Sequence, residues 1–126
     1  KKKCILVVED ELDVQLFVSN LLVSNGYDSV QAKDSVEGLE IAKRIRPDLI
    51  IMDPMLPDSG GIGLFQLLKQ DKNLRKVPIV FMSKLNRKMF CHYQRCQGVK
   101  EILEPEAFLG RPPEVEDLLG VIRQFL

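Results

Sequence analysis

Three short and nearly continuous apolar segments constrain the fold of this chain more than any other feature. They are CILVV at 4–8, DLIIM at 48–52 and PIVFM at 78–82. Continuous apolar segments, without alternation, are typical of strands buried on both faces, as in parallel sheets covered by helices. A fourth and more polar segment, DSVQA at 28–32, predicts a strand at the edge of the sheet.

Amphipathic segments separate the strands. Asp13 is the expected N-cap of a first helix that stops at Gly26. Asp34 and Glu37 have the spacing of a capping box, and they predict the start of a second helix that ends before Pro47. Alternation of buried strands with helices predicts an α/β fold with a parallel sheet, helices on both faces and right-handed crossovers.

The sequence also predicts three later helices. One begins near residue 62, one contains FCHYQRC (90–96) and one begins after Pro113. Met89, Tyr93 and Cys96 are expected to form the buried stripe of the fourth helix. His92 and Cys96 lie four residues apart, but two ligands do not make a zinc site.

Size and charge limit the functional classes. The 126 residues predict one domain, 1–126, and the zero formal net charge argues against direct nucleic-acid binding. No apolar segment approaches the roughly 20 residues of a membrane span. Three cysteines, an odd number, favour a reducing compartment over a disulfide framework, so we expect a cytoplasmic protein.

Chemically active side chains follow the strands at one expected edge of the sheet. Glu9 and Asp10 follow the first strand, Asp53 the third and Ser83 the fourth, and Arg111 lies near the last. Two carboxylates about 4 Å apart repel by on the order of 4 kcal/mol at an effective dielectric constant near 20. Three acids at one edge therefore predict either a raised pKa or a hard divalent cation, for which Mg²⁺ is the best candidate.

Four motifs carry a resemblance to a known family. The segments LVVEDE (6–11), LIIMDPMLPDSGGI (49–62), PIVFMS (78–83) and FLGRPPEVEDLL (108–119) resemble the response regulator receiver domain over essentially the whole chain. The resemblance implies a flavodoxin-like, doubly wound sheet of five parallel strands in the order 2-1-3-4-5. It also implies a role in two-component signalling.

The resemblance further implies roles for individual residues. Asp53 resembles the phosphoacceptor, and Glu9 and Asp10 resemble the acids that hold Mg²⁺ together with the backbone carbonyl of Met55. Ser83 resembles the hydroxyl that turns toward the phosphoryl group.

Phe108 resembles the aromatic switch residue of strand five, which remodels the face formed by helix four, strand five and helix five. Implied partners are a sensor histidine kinase or phosphotransfer protein, an output domain or partner protein, and a second copy bound through the same face. The implied chemistry is at most self-phosphorylation from a phosphodonor and slow autodephosphorylation.

The sequence departs from the family pattern at three positions. Arg111 stands for the family lysine if FLGRP is strand five, which requires about six extra residues within VKEILEPE (99–106). The other register makes EILEP the strand and places Pro105 at the lysine position; the first agrees better with a helix after Pro113. Lys84 replaces a small residue and would either obstruct the site or supply an ammonium group, and Pro54 follows the phosphoacceptor.

These departures keep a second function open. A receiver fold that binds a partner without phosphorylation is the alternative to a phosphoacceptor. A free-standing phosphatase is a third candidate, but Met55 stands where such an enzyme would carry a second catalytic acid, two residues after Asp53.

Overall fold

A computed structural model describes residues 1–58 and 60–126 of the protein. Strands and helices alternate along the chain. The strands are β1 (Cys4–Val8), β2 (Asp28–Ala32), β3 (Leu49–Met52), β4 (Ile79–Met82) and β5 (Ala107–Leu109). The helices are α1 (Leu12–Ser24), α2 (Ser35–Ile45), α3 (Gly61–Gln70), α4 (Arg87–Cys96) and α5 (Val115–Phe125).

The five strands form one parallel sheet in the order β2-β1-β3-β4-β5. This order confirms the predicted flavodoxin-like topology, and β2 is an edge strand as expected. The order reverses beside β1, so the carboxyl ends of β1 and β3 border the switch point at which such folds bind ligands.

Two apolar cores lie on opposite faces of the sheet. Alternate residues of β1 belong to different cores, with Leu6 and Val8 on one face and Ile5 and Val7 on the other. Side chains of α2, α3 and α4 cover the first face, and side chains of α1 and α5 cover the second. Because both faces are covered, the central strands need apolar residues at every position, as their sequences show.

The helix starts agree only in part with the sequence predictions. Asp34 caps α2 by accepting a hydrogen bond from the backbone N–H of Glu37 at 2.8 Å. The expected cap at Asp13 is wrong, because α1 begins at Leu12 and Asp13 lies in its first turn. The Glu9 side chain accepts the backbone N–H of Glu11 at 2.8 Å, so the chain turns into the helix directly after β1.

Of the two registers for strand five, the structure adopts the one that needs extra residues. Residues 107–109 pair with β4, and the preceding loop is fastened at two points. The buried side chain of Gln94 donates to the Leu103 carbonyl at 2.7 Å and accepts the Leu103 N–H at 3.1 Å. The Glu106 carboxylate accepts hydrogen bonds from the Lys69 ammonium group and from the backbone N–H of Ile79.

The predicted buried stripe of α4 is wrong. Phe90 and Gln94 face the core, whereas Met89, Tyr93 and Cys96 are exposed. Gln94 can be buried because the Leu103 backbone satisfies its amide group, and this pairing turns the helix away from the predicted orientation.

Among the described residues, no helix combines the length and apolar character needed to cross a bilayer.

Candidate functional site

Three acids meet beyond the carboxyl ends of β1 and β3. Glu9 directly follows β1, Asp53 directly follows β3, and the two strands are hydrogen-bonded neighbours. Glu9 is fully buried and Asp53 is 4% exposed, whereas Asp10 lies at the exposed rim. One carboxylate oxygen from each residue lies within 4.8 Å of the others. The structure therefore brings together the three acids that the sequence analysis selected.

The Arg111 guanidinium lies among these acids. Its Nε and Nη2 donate to the two carboxylate oxygens of Glu9, each at 2.8 Å. Nε also lies 3.2 Å from Oδ2 of Asp53, and Nη2 lies 3.8 Å from Oδ1 of Asp10. Arg111 follows β5 by two residues, so the adopted register of that strand carries its side chain to the pocket.

Glu11 is a further contact that the sequence analysis missed. Its Oε1 lies 3.2 Å from Nη2 of Arg111, at the exposed end of the pocket. The signal was present in the sequence, because Glu11 extends the acid pair to the triplet EDE at 9–11. The cation therefore contacts four carboxylates, three of them consecutive in the chain.

The electrostatic environment shifts the pKa values of Glu9 and Asp53 in opposite directions. Burial alone would raise the pKa of Glu9, but the Arg111 hydrogen bonds, the Glu11 N–H and the guanidinium charge together lower that pKa. The pKa of Asp53 is raised, chiefly by burial and also by the charges of Glu9 and Asp10. Hydrogen bonds to Glu9 and Glu11, together with the charges of Glu9 and Asp53, raise the pKa of Arg111, which remains a permanent cation.

An open cleft of about 460 Å³ gives access to Asp53. Met55, Ser83 and Lys84 all line it. The Met55 N–H donates to Oδ1 of Asp53 at 2.8 Å, and Oγ of Ser83 accepts the N–H of Leu85 at 3.0 Å. Lys84 is exposed, and among the described residues no ion pair joins it to the acids, so Arg111 supplies the cation there.

Phe108 lies apart from the acids, on the face of the sheet that α2, α3 and α4 cover. Its ring packs edge-to-face against Phe81 and Phe90, with centroid separations of 5.4 and 6.2 Å. The Arg87 guanidinium lies 5.0 Å from the centroid of the same ring, and Arg87 also pairs with Glu104. These contacts connect the Phe108 ring to α4 and to the loop before β5.

The acid cluster has the donor chemistry that suits Mg²⁺. Carboxylate oxygens are its preferred protein ligands, and one or two of them leave positions free for water and phosphate. Glu9, Asp10 and Asp53 would hold the ion. The Arg111 guanidinium contacts all three residues, so the site fits a divalent cation only if that side chain moves off the oxygens.

Comparison with known proteins assigns the class. The family model of the response regulator receiver domain matches residues 5–104. The chain belongs to this family, the receiver domains of two-component response regulators.

A relative agrees with that assignment, and solved structures share the fold. The polar-differentiation response regulator DivK of Brucella anthropi is 31% identical over 98% of this chain and 96% of its own. The chemotaxis protein CheY4 of Vibrio cholerae superposes with a TM-score of 0.83 at 24% identity, covering all of both chains. The receiver domain of the sensor histidine kinase PA1611 of Pseudomonas aeruginosa superposes with a TM-score of 0.82 at 25% identity, covering 99% of this chain and 98% of its own. The structure of that domain holds a magnesium ion in the active-site cleft.

Proposed function

We propose that this receiver accepts a phosphoryl group from a histidine kinase or phosphotransfer protein on Asp53. The observation that carries the proposal is the placement of Asp53 at the floor of an open cleft, beside two further acids and a permanent cation. A carboxylate in this position can act as a nucleophile and form an aspartyl phosphate. We also propose that the protein is cytoplasmic, because such kinases present their phosphohistidine in the cytoplasm.

The residues around Asp53 have complementary tasks. Oδ1 is held by the Met55 N–H, which fixes the orientation of the carboxylate. Mg²⁺, when bound, would neutralise charge on the phosphoryl oxygens, with Glu9, Asp10, Asp53 and the Met55 carbonyl as its protein ligands. Arg111 replaces the family lysine as the cation that faces the incoming group, and its planar guanidinium can grip two oxygens.

The switch we propose begins at Ser83. Its hydroxyl holds the N–H of Leu85 and thereby the loop between β4 and α4. If the hydroxyl turns toward a phosphoryl group on Asp53, this loop loses its fastening and α4 can shift. Phe108 contacts α4 through Phe90 and Arg87, so such a shift would change the face formed by α4, β5 and α5, where partners or a second copy would bind.

The direct test is incubation with Mg²⁺ and acetyl phosphate, followed by intact mass measurement. We expect one added phosphoryl group that hydroxylamine removes, as it does from acyl phosphates. Asp53→Asn, which has the same size and lacks the nucleophile, should show no adduct. An adduct of equal yield in Asp53→Asn would place the phosphorylation elsewhere, and no adduct in the native protein would contradict the proposal.

A second candidate function is binding of a partner without phosphorylation. The ion pairs of Arg111 with Glu9 and Asp53 favour this second function, because acids that already have a cation depend less on Mg²⁺. This function predicts that acetyl phosphate leaves the amide exchange of α4 and β5 unchanged in both the native protein and Asp53→Asn. A change confined to the native protein would exclude it.

A further inference from the structure

The Arg111 side chain supplies the acid pocket with a cation from within the protein. Both oxygens of the Glu9 carboxylate accept hydrogen bonds from it, and Oε2 also accepts the Glu11 N–H. The Arg111 Nε also lies 3.2 Å from Oδ2 of Asp53. The other oxygen of Asp53, Oδ1, accepts a hydrogen bond from the Met55 N–H. The Glu9 and Asp53 oxygens that a metal ion would need therefore already have cationic or N–H partners.

Burial strengthens this arrangement. Glu9 has no exposed surface, so its negative charge depends on partners within the protein. Two parallel N–H···O bonds between a guanidinium and a carboxylate are among the strongest charge-assisted pairs. The guanidinium is itself only 18% exposed, so solvent screens the pair weakly.

A lysine at this position would bind differently. An ammonium group is a compact point charge on a flexible stem, and it cannot present two parallel donors to both oxygens of one carboxylate. The bidentate grip on Glu9 with a simultaneous approach to Asp53 therefore depends on the arginine that this chain carries.

We propose that Arg111 is the resident counter-ion of the acid pocket and competes with the divalent cation for the oxygens of Glu9 and Asp53. Loading Mg²⁺ is then an exchange, in which the metal displaces the guanidinium and frees it to meet phosphoryl oxygens. The inference rests on the proposed function in taking Mg²⁺ as the ligand of this pocket. It concerns metal affinity and can be measured without any phosphoryl transfer.

The first test is calorimetric titration of Mg²⁺ into the native protein, Arg111→Lys and Arg111→Gln. We expect the dissociation constant to fall at least about tenfold in Arg111→Gln, equivalent to about 1.4 kcal/mol, and by an intermediate factor in Arg111→Lys. Lys84→Gln is the matched control, because it removes a positive charge from the same cleft without touching the acids. We expect it to change the constant less than threefold.

Thermal unfolding with EDTA or Mg²⁺ gives a second readout that survives destabilisation of the variants. Arg111→Gln leaves Glu9 buried without its cation, so its Tm should fall in EDTA and recover when Mg²⁺ takes that place. The Tm of the native protein should change little between the two conditions.

Two results would overturn the inference. One is an equal gain of Mg²⁺ affinity in Lys84→Gln and Arg111→Gln, which would indicate a general charge effect. The other is no gain of affinity in Arg111→Gln together with no recovery of its Tm by Mg²⁺. Failure of the proposed function is a separate observation, because it appears as the absence of a phosphoryl adduct on Asp53.

Discussion

At Gly61, the first residue of α3, the backbone passes so close to the carboxyl end of β3 that no β-carbon fits. An ideal β-carbon there would meet the Pro54 carbonyl group and would lie 2.7 Å from the carbonyl oxygen of Asp53. Gly63, one half-turn later in the same helix, has no heavy atom within 4 Å of such a position. Close packing of α3 against the strand end thus fixes where the backbone of Asp53 lies.

This contact gives a prediction at the residue scale. Gly61→Ala should lower the free energy of unfolding by about 2 kcal/mol or more, because backbone atoms have to move to admit the methyl group. It should also slow phosphorylation by acetyl phosphate, since Asp53 moves with that backbone. Denaturant unfolding and intact mass measure the two effects.

Gly63→Ala is the control within the same helix. It should raise stability by about 0.5–1 kcal/mol through helix propensity and leave phosphorylation unchanged. Equal destabilisation by the two substitutions would refute the close-contact explanation.

Single residues of the site were predictable only by type and approximate place. Glu9, Asp10, Asp53 and Ser83 follow strands, so the parallel sheet alone brings them to one edge. The contacts of Arg111 with Glu9 and Asp53 depend on the register of β5 and on the conformation of the arginine side chain. Local sequence patterns predict neither of these.

At the scale of elements, α4 and the long loop before β5 depend on one buried amide. Gln94 is 2% exposed, and both of its polar atoms pair with the backbone of Leu103. Residues 99–106 are the segment in which the sequence analysis expected about six extra residues. A hydrogen-bonded pair in the core therefore fastens a loop that local propensity leaves undetermined.

Gln94→Met tests this fastening while keeping nearly the same side-chain volume. It should destabilise the protein by about 1–3 kcal/mol, because the Leu103 N–H and C=O lose their partner. Hydrogen exchange of the Leu103 amide should accelerate more than that of the β1 and β3 amides. Gln97→Met, at the exposed end of α4, should alter neither quantity. Unchanged exchange at Leu103 would show that other contacts hold the loop.

Sequence patterns predicted the buried strands well and the orientation of α4 poorly. The apolar segments of β1, β3 and β4 were placed within one residue of their observed bounds, because burial on both faces leaves one solution for such segments. The predicted orientation of α4 was wrong, because apolar residues occur around most of that helix and do not define one face. A buried glutamine then decides which side faces the core, and its partner lies nine residues further along the chain.

At the scale of the whole molecule, the zero net charge conceals a strong segregation of charge. Residues 72–100 contain eight lysines and arginines and no aspartate or glutamate, so the rest of the chain carries an equal excess of acids. All eight cationic residues are exposed, and they lie on α4 and on the loops that flank β4 and α4. Such a field steers encounters with acidic surfaces even when the net charge is zero.

This segregation predicts that the protein binds a cation-exchange resin at pH 7.5 and low ionic strength, although its formal net charge is zero. The triple variant Lys84→Gln, Lys88→Gln, Arg95→Gln removes cations from one surface and should pass through the column unbound. A matched variant, Lys33→Gln, Lys43→Gln, Arg44→Gln, has the same net charge and alters residues on or next to α2, so it should still bind. Binding in the native protein should vanish as salt shortens the range of the field, which is about 10 Å at 0.1 M ionic strength. If both triple variants lose binding equally, net charge alone governs the interaction and the oriented field around α4 has no measurable effect.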